Sequence, residues 1–219
     1  MDNEIYNETS YKDYNIRIEY ENYPMSPRDC WDSLGTMICW HNRYTLGDKH
    51  DYERPSDFQL DLIEFSVTIS DDEYMDCSLY GFSEEQQERV DKYIEKNYII
   101  LPLYLYNHSG ITMKTSSFSC PWDSGQVGWI YVSYEKLKSE YGWTYITKQR
   151  IKKIEEYLRN EVATYDNYLT GTVFGYNVID PDGESIDSCW GYYGYDSEKY
   201  IIEEAKDIID YHKKEEKMQ

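Results

Sequence analysis

The chain has 219 residues, with 22 Lys and Arg against 42 Asp and Glu and a formal net charge of −20, a balance that argues against direct contact with nucleic acid or an anionic membrane and favours a basic partner. No apolar run approaches the ~18 residues a membrane span needs, and the N-terminal MDNEIYNETS has neither the basic nor the apolar region of a secretory signal. The five cysteines (Cys30, Cys39, Cys77, Cys120, Cys189) form no CxxC pair, so the chain is expected in a reducing cytoplasm.

Residues 1 to 14 read as a polar, frayed end, and Asn15 to Tyr20 (NIRIEY) alternates as a first strand. Pro24 to Pro27 is a turn, Thr36 to Trp40 (TMICW) a short buried strand, and His41 to Arg54 a polar loop. From Ser56, an N-cap after Pro55, the spacing of Phe58, Leu62, Ile63 and Phe65 predicts a helix. Asp71-Asp72-Glu73 opens an acidic loop, and Ser83-Glu84-Glu85-Gln86 is a capping box that starts a helix running to Asn97.

Tyr98 to Tyr106 (YIILPLYLY) is the most apolar run, and its Pro102 places it at a sheet edge or a bulge. Asn107 to Gly110 turns it into Ile111 to Thr115, and Gln126 to Val132 follows as a strand. Ser133 caps a short helix that stops at Gly142. Thr147 to about Asn167 has the clearest helical period, with Ile151, Ile154, Leu158 and Val162 on one face and Ile146 placed for a hydrophobic staple. Thr172 to Val178, Asp180-Pro181-Asp182-Gly183 and Ser185 to Tyr193 spell a β-hairpin. Ser197 caps a last helix with Ile201, Ala205, Ile208 and Ile209 inward, and the tail from His212 is solvated. The fold expected is α+β, an antiparallel or mixed sheet with helices packed on it, ending in the hairpin and a terminal helix. One domain over residues 1–219 is expected, with 1–97 and 98–219 as the division the charge suggests. Residues 1–97 hold 23 acidic and 9 basic residues, against 19 and 13 in the remainder.

Within the helix from Ser83, Glu84, Glu88, Asp91 and Glu95 step by four, three and four, so they lie along one face while Val90, Tyr93 and Ile94 take the other. Asp57, Asp61 and Glu64 form a second stripe, and Asp71, Asp72, Glu73 and Asp76 a third patch. A solvated surface accounts for any one stripe. Three together concentrate repulsion, which is useful where the surface meets the lysines and arginines of a nucleic-acid-binding protein. Carboxylates about 5–6 Å apart along a helix stand near the spacing of alternate phosphates on a DNA strand. Lys148, Arg150, Lys152 and Lys153 put positive charge at a helix start, against its dipole.

Three segments share Cys, Trp, Asp and Ser: Cys30-Trp31-Asp32-Ser33, Cys120-Pro121-Trp122-Asp123-Ser124 and Asp187-Ser188-Cys189-Trp190. A thiol enzyme built from them would use Cys189 or Cys120 as nucleophile, His108 or His41 as base, and Asp187 or Asp123 as orienter. Buried cysteines beside core tryptophans give the same pattern without chemistry. Cys30, Cys39, His41 and His50 are metal-ligand types, but their gaps differ from those of structural zinc modules. Asp180 to Gly183 with Asp187 lacks the Gly and Glu positions of a calcium loop. No phosphate-cradle, zinc-protease or serine-hydrolase motif occurs, so no cofactor or metal is expected.

The segments Asp123-Ser124-Gly125-Gln126-Val127-Gly128 with Tyr131-Val132-Ser133, Tyr165 to Gly171 (YDNYLTG) and Asp187-Ser188-Cys189-Trp190-Gly191 resemble a family of uncharacterised proteins of phages and plasmids of Gram-positive bacteria. The resemblance spans roughly the C-terminal half and the Cys30 segment. It implies a mobile-element setting, where small acidic proteins that block restriction or CRISPR effectors are common, and it carries over no catalytic residue. The expectation is an anti-defence protein, an anti-CRISPR or antirestriction factor, whose acidic, Tyr-rich surface occupies the basic nucleic-acid groove of a host defence nuclease. The alternatives are the thiol enzyme and an adaptor with no nuclease target.

Overall fold

The computed structural model describes residues 3–63 and 69–216. In chain order the elements are β1 (Ile5–Tyr11), β2 (Tyr14–Tyr20), α1 (Pro27–Cys30), β3 (Thr36–Cys39), α2 (Pro55–Leu62), α3 (Asp71–Tyr80), α4 (Glu84–Asn97), β4 (Tyr98–Asn107), β5 (Ile111–Lys114), β6 (Ser124–Ser133), α5 (Tyr134–Tyr141), α6 (Lys148–Leu169), β7 (Val173–Ile179), β8 (Ser185–Tyr193), a 3-10 turn at Tyr195–Ser197, and α7 (Glu198–Glu216). The architecture is α+β, as the interspersed helices and short strand connections imply, and every strand pair is antiparallel. No helix among the described residues is long and apolar enough to cross a membrane. The chain gathers into two compact units, one made of Met1–Cys30 with Thr164–Gln219 and the other of Trp31–Ala163.

The first unit is a sheet of order β1-β2-β7-β8 covered on one face by α7. Alternation decides which side is covered: Tyr14, Ile16 and Ile18 of β2 and Phe174, Tyr176 and Val178 of β7 point inward and meet Ile201, Ala205 and Ile209. On the other face Trp190 lies directly on Gly175, where a Cβ would stand 2.0 Å from Trp190 Cε3. The hairpin turn closes through Asp180, whose carboxylate accepts from the N–H groups of Asp182 and Glu184, and Gly183 takes a φ of 90°.

Two expectations for this unit change. Residues 5–11 are a strand, β1, rather than a frayed end. A bulge between Ile5 and Asn7 breaks its alternation, and it is held by β2 and by side chains reaching α7, Tyr6 and Asn7 to Glu198 and Lys12 to Asp210. The tail from His212 continues α7 to Glu216, with His212 Nδ1 3.0 Å from the Tyr14 hydroxyl and Lys213 paired with Asp13. Ser197 ends the 3-10 turn, its hydroxyl donating to the Gly194 carbonyl at 2.6 Å.

The second unit is built on a sheet of order β3-β6-β4-β5. One face carries Ile38, Ile100, Trp129 and Tyr131 and is covered by Phe58 and Leu60 of α2, Cys77 of α3, and Val90 and Ile94 of α4. The opposite face buries Ile99, Leu101, Leu103, Ile130 and Val132. Leu158 of α6 reaches it at Gly35, where a Cβ would stand 2.5 Å from Leu158 Cδ2 and 2.8 Å from Ile130 Cγ1. Pro102 sits as its chemistry requires: β4 pairs with β6 along its length, β5 joins it only from Tyr104 onward, and the register shifts between Leu103 and Tyr104. Ser133 accepts from the Lys136 N–H to start α5, and Gly142 ends it in the left-handed conformation.

Two helix starts in this unit differ from the expected ones. Arg54, not Ser56, is the N-cap of α2, because Pro55 fits the first helical position, whose N–H needs no partner. Residues 71–80 form α3 rather than an acidic loop: Ser70 accepts from the Glu73 N–H and Glu73 reaches back to the Ser70 N–H.

Candidate functional site

Part of the acidic stripes lies on a single helix layer. Helices α2, α3 and α4 form one layer over one face of the second sheet, so their outward carboxylates share one side of the unit. On α4, Glu84, Glu88, Asp91 and Glu95 are exposed while Val90 and Ile94 are buried, as the spacing predicts. Glu88 is paired with Lys92 at 2.8 Å, and Asp91 accepts from Gln87 at 2.8 Å. Asp61 of α2 is exposed and accepts from the Tyr52 hydroxyl. Burial first, and that carboxylate second, push the Tyr52 phenol up.

Other acidic residues have structural duties. Asp57 caps α2 and pairs with Arg54 at 2.9 Å. Glu73 caps α3 and pairs with Arg89 of α4, and these contacts, Arg89 foremost, hold its carboxyl at about 2. Asp71 and Asp72 are the first two residues of α3. Glu64 lies outside the described residues.

A second cluster forms at one end of the same sheet. There β3 and β4 end and β6 begins, because both β3 and β4 run antiparallel to β6. The Trp40 N–H donates to Val127 at 2.7 Å and the Asn107 N–H to Asp123 at 2.8 Å, fixing the three connections side by side. His41 follows β3, His108 follows β4, and Cys120 to Asp123 precede β6. His41 Nδ1 accepts from the backbone N–H groups of Arg43 and Tyr44 at 3.1 and 3.2 Å. The neutral ring therefore carries its proton on Nε2. A cleft of about 480 Å³ is lined here by His41, Asn42, Arg43, Asn107, Trp122 and Asp123 among others. An open cleft of about 790 Å³, lined by residues of the 39–51 segment, adjoins it at His41 and Asn42.

The Cys/Trp/Asp/Ser segments are divided between the units. Cys120, His108, Asp123 and His41 belong to the second unit, and Cys189 and Asp187 to the first. In the second, Asp123 Oδ2 is the shared partner: His108 Nδ1 lies 3.4 Å from it and the Cys120 thiol donates to it at 3.7 Å. The carboxylate stands between thiol and imidazole, whereas an activated thiol needs the imidazole between. In the first unit, Asp187 accepts from the Tyr176 hydroxyl at 3.1 Å, and Glu204 accepts from Tyr192 at 2.7 Å and Tyr176 at 3.5 Å. Burial, followed by Asp187 for Tyr176 and by Cys189 and then Glu204 for Tyr192, pushes both phenols up. Asp187 is thus engaged with a tyrosine, not with a histidine beside Cys189.

Comparison of the chain with protein-family models, curated proteins and solved structures finds no match.

Cys30 donates to the Ser26 carbonyl at 3.1 Å, and His50 Nε2 to the Cys39 carbonyl at 2.9 Å. Among the described residues no group of three or more His, Cys, Asp and Glu is arranged to hold a metal ion. All five cysteines are free thiols. At the basic start of α6, Arg150 donates to the Tyr145 carbonyl and lies over the Trp143 ring at 4.5 Å, which occupies one of the four cations. Arg43, Lys49 and Asn107 escaped the sequence reading. The available signal was their position, in polar connections at the ends of apolar strands, where rigid elements present functional side chains.

Proposed function

We propose that the protein is an anti-defence factor, an inhibitor of a nucleic-acid-binding host nuclease whose basic groove receives the acidic helix layer of the second unit. The observation that carries this reading is the exposed row Glu84, Glu88, Asp91 and Glu95 on a helix whose other side is buried. A row fixed on a packed helix presents its charges in a set order, and that favours fast, oriented encounter with a complementary surface. The mobile-element resemblance of the C-terminal half supports the same class of partner. The test is an inhibition assay with purified restriction and CRISPR nucleases cleaving a DNA substrate. Reversing the four carboxylates of α4 to lysine is expected to abolish inhibition without unfolding the protein. A folded quadruple variant that still inhibits refutes the mechanism.

The thiol-enzyme reading has one observation in its favour, the contact of Cys120 and His108 with the same carboxylate. It requires that Cys120→Ser remove an activity while leaving the melting temperature within a few degrees. The order of the three groups favours the first reading.

A further inference from the structure

We propose that the strand-end cleft of the second unit binds a nucleoside phosphate, with the ring on Trp122, the sugar against Asp123 and Asn107, and the phosphate on Arg43. The site is separate from the acidic helix layer, so the proposal goes beyond the reading of that surface.

Trp122 is 92% exposed, the most exposed large apolar side chain of the molecule's described part. An indole left in water on the wall of a cleft is a platform for a flat ring, because stacking on a π-face is favourable for every base. Beside it, Asp123 spends Oδ2 on His108 and Cys120, and Oδ1 has no protein partner among the described residues. With the Asn107 amide it offers the acceptor and donor pair that sugar hydroxyls need.

The cations are the third component. The chain carries a net charge of −20, yet Arg43 in this cleft and Lys49 in the adjoining one have no ion-pair partner among the described residues. His41, between them, has its Nδ1 occupied by two backbone donors, so its Nε2–H is left as a donor. A guanidinium, an imidazole N–H and an ammonium in sequence along joined clefts suit phosphate oxygens. The two volumes, about 480 and 790 Å³, fall in the range of roughly 300–1,000 Å³ that small ligands occupy. A free sugar would leave the cations unused, and inorganic phosphate would leave the indole unused.

The test is calorimetry and tryptophan fluorescence on the full chain with AMP, GMP, CMP and UMP, using adenosine and inorganic phosphate as part-ligands. At least one monophosphate is expected to bind saturably at one site per chain. Arg43→Ala should weaken the monophosphate by roughly tenfold or more, as loss of a charge-assisted hydrogen bond does, and leave adenosine within about twofold. Trp122→Ala should weaken nucleotide and adenosine alike by roughly tenfold, the scale of one stacked base. Both side chains are exposed, so each variant is expected to keep the parental melting temperature. The proposal is overturned if no monophosphate binds saturably, if neither variant changes the affinity, or if inorganic phosphate binds as tightly as the nucleotides.

Discussion

A single methyl group tests the contact between Gly175 and Trp190. The added carbon of Gly175→Ala would lie 2.0 Å from Trp190 Cε3, so the ring must leave its place on the sheet. Overpacking of this kind costs about 1–3 kcal/mol, read by chemical denaturation. The double variant with Trp190→Ala should recover part of that loss, because the clash goes with the ring. Glu73 gives a pH test of opposite character. Its carboxyl drops from an ordinary 4.5 to about 2 in the fold, so its contribution is complete above 4.5 and disappears as pH falls through about 2. Glu73→Gln should therefore lower the melting temperature at neutral pH and narrow its difference from the parent between pH 4.5 and 2. A constant offset across that window would show that the ion pair with Arg89 contributes nothing.

At the level of elements, legibility followed punctuation. The short helix α5 was readable because Ser133 starts it and Gly142 stops it, and the β7–β8 hairpin because Asp180 to Gly183 can only turn. The start of α3 was equally well marked by Ser70 and Glu73, but its sequence, DDEYMDCSLY, opens on three carboxylates and carries no clear apolar period, and such a charged segment resembles a loop. Its stability rests correspondingly on the cap: Ser70→Ala is expected to cost about 1 kcal/mol, detectable as earlier thermal loss of helix signal. Strand β1 was hidden by its bulge, since one extra residue moves the alternation to the other face. The candidate cleft was half legible. His41, His108, Cys120 and Asp123 stood out by type, but their neighbourhood depends on the antiparallel order of β3, β6 and β4, and no local pattern encodes which strands become neighbours.

For the whole molecule, salt distinguishes a charge-guided encounter from apolar docking. If the acidic layer meets a basic groove, the association rate should fall steeply as the Debye length shrinks from ~30 Å at 0.01 M to ~8 Å at 0.15 M, while dissociation changes far less. Surface plasmon resonance against the inhibited nuclease reads both rates, and excess DNA should compete; a flat association rate would rule out the charge-guided route. The discontinuity of the first unit has a different consequence, for the order in which the protein can form. Strand β2 pairs with β7, Ile16 opposite Val178, so the ribosome must deliver the whole intervening segment before the first sheet has its central pair. Until then β1 and β2 are an isolated two-stranded ribbon, which water stabilises poorly, whereas residues 31–163 already contain every strand of their own sheet. Synthesis thus imposes a sequence of events in which the inserted segment can mature first while the N-terminal ribbon waits for the last quarter of the chain.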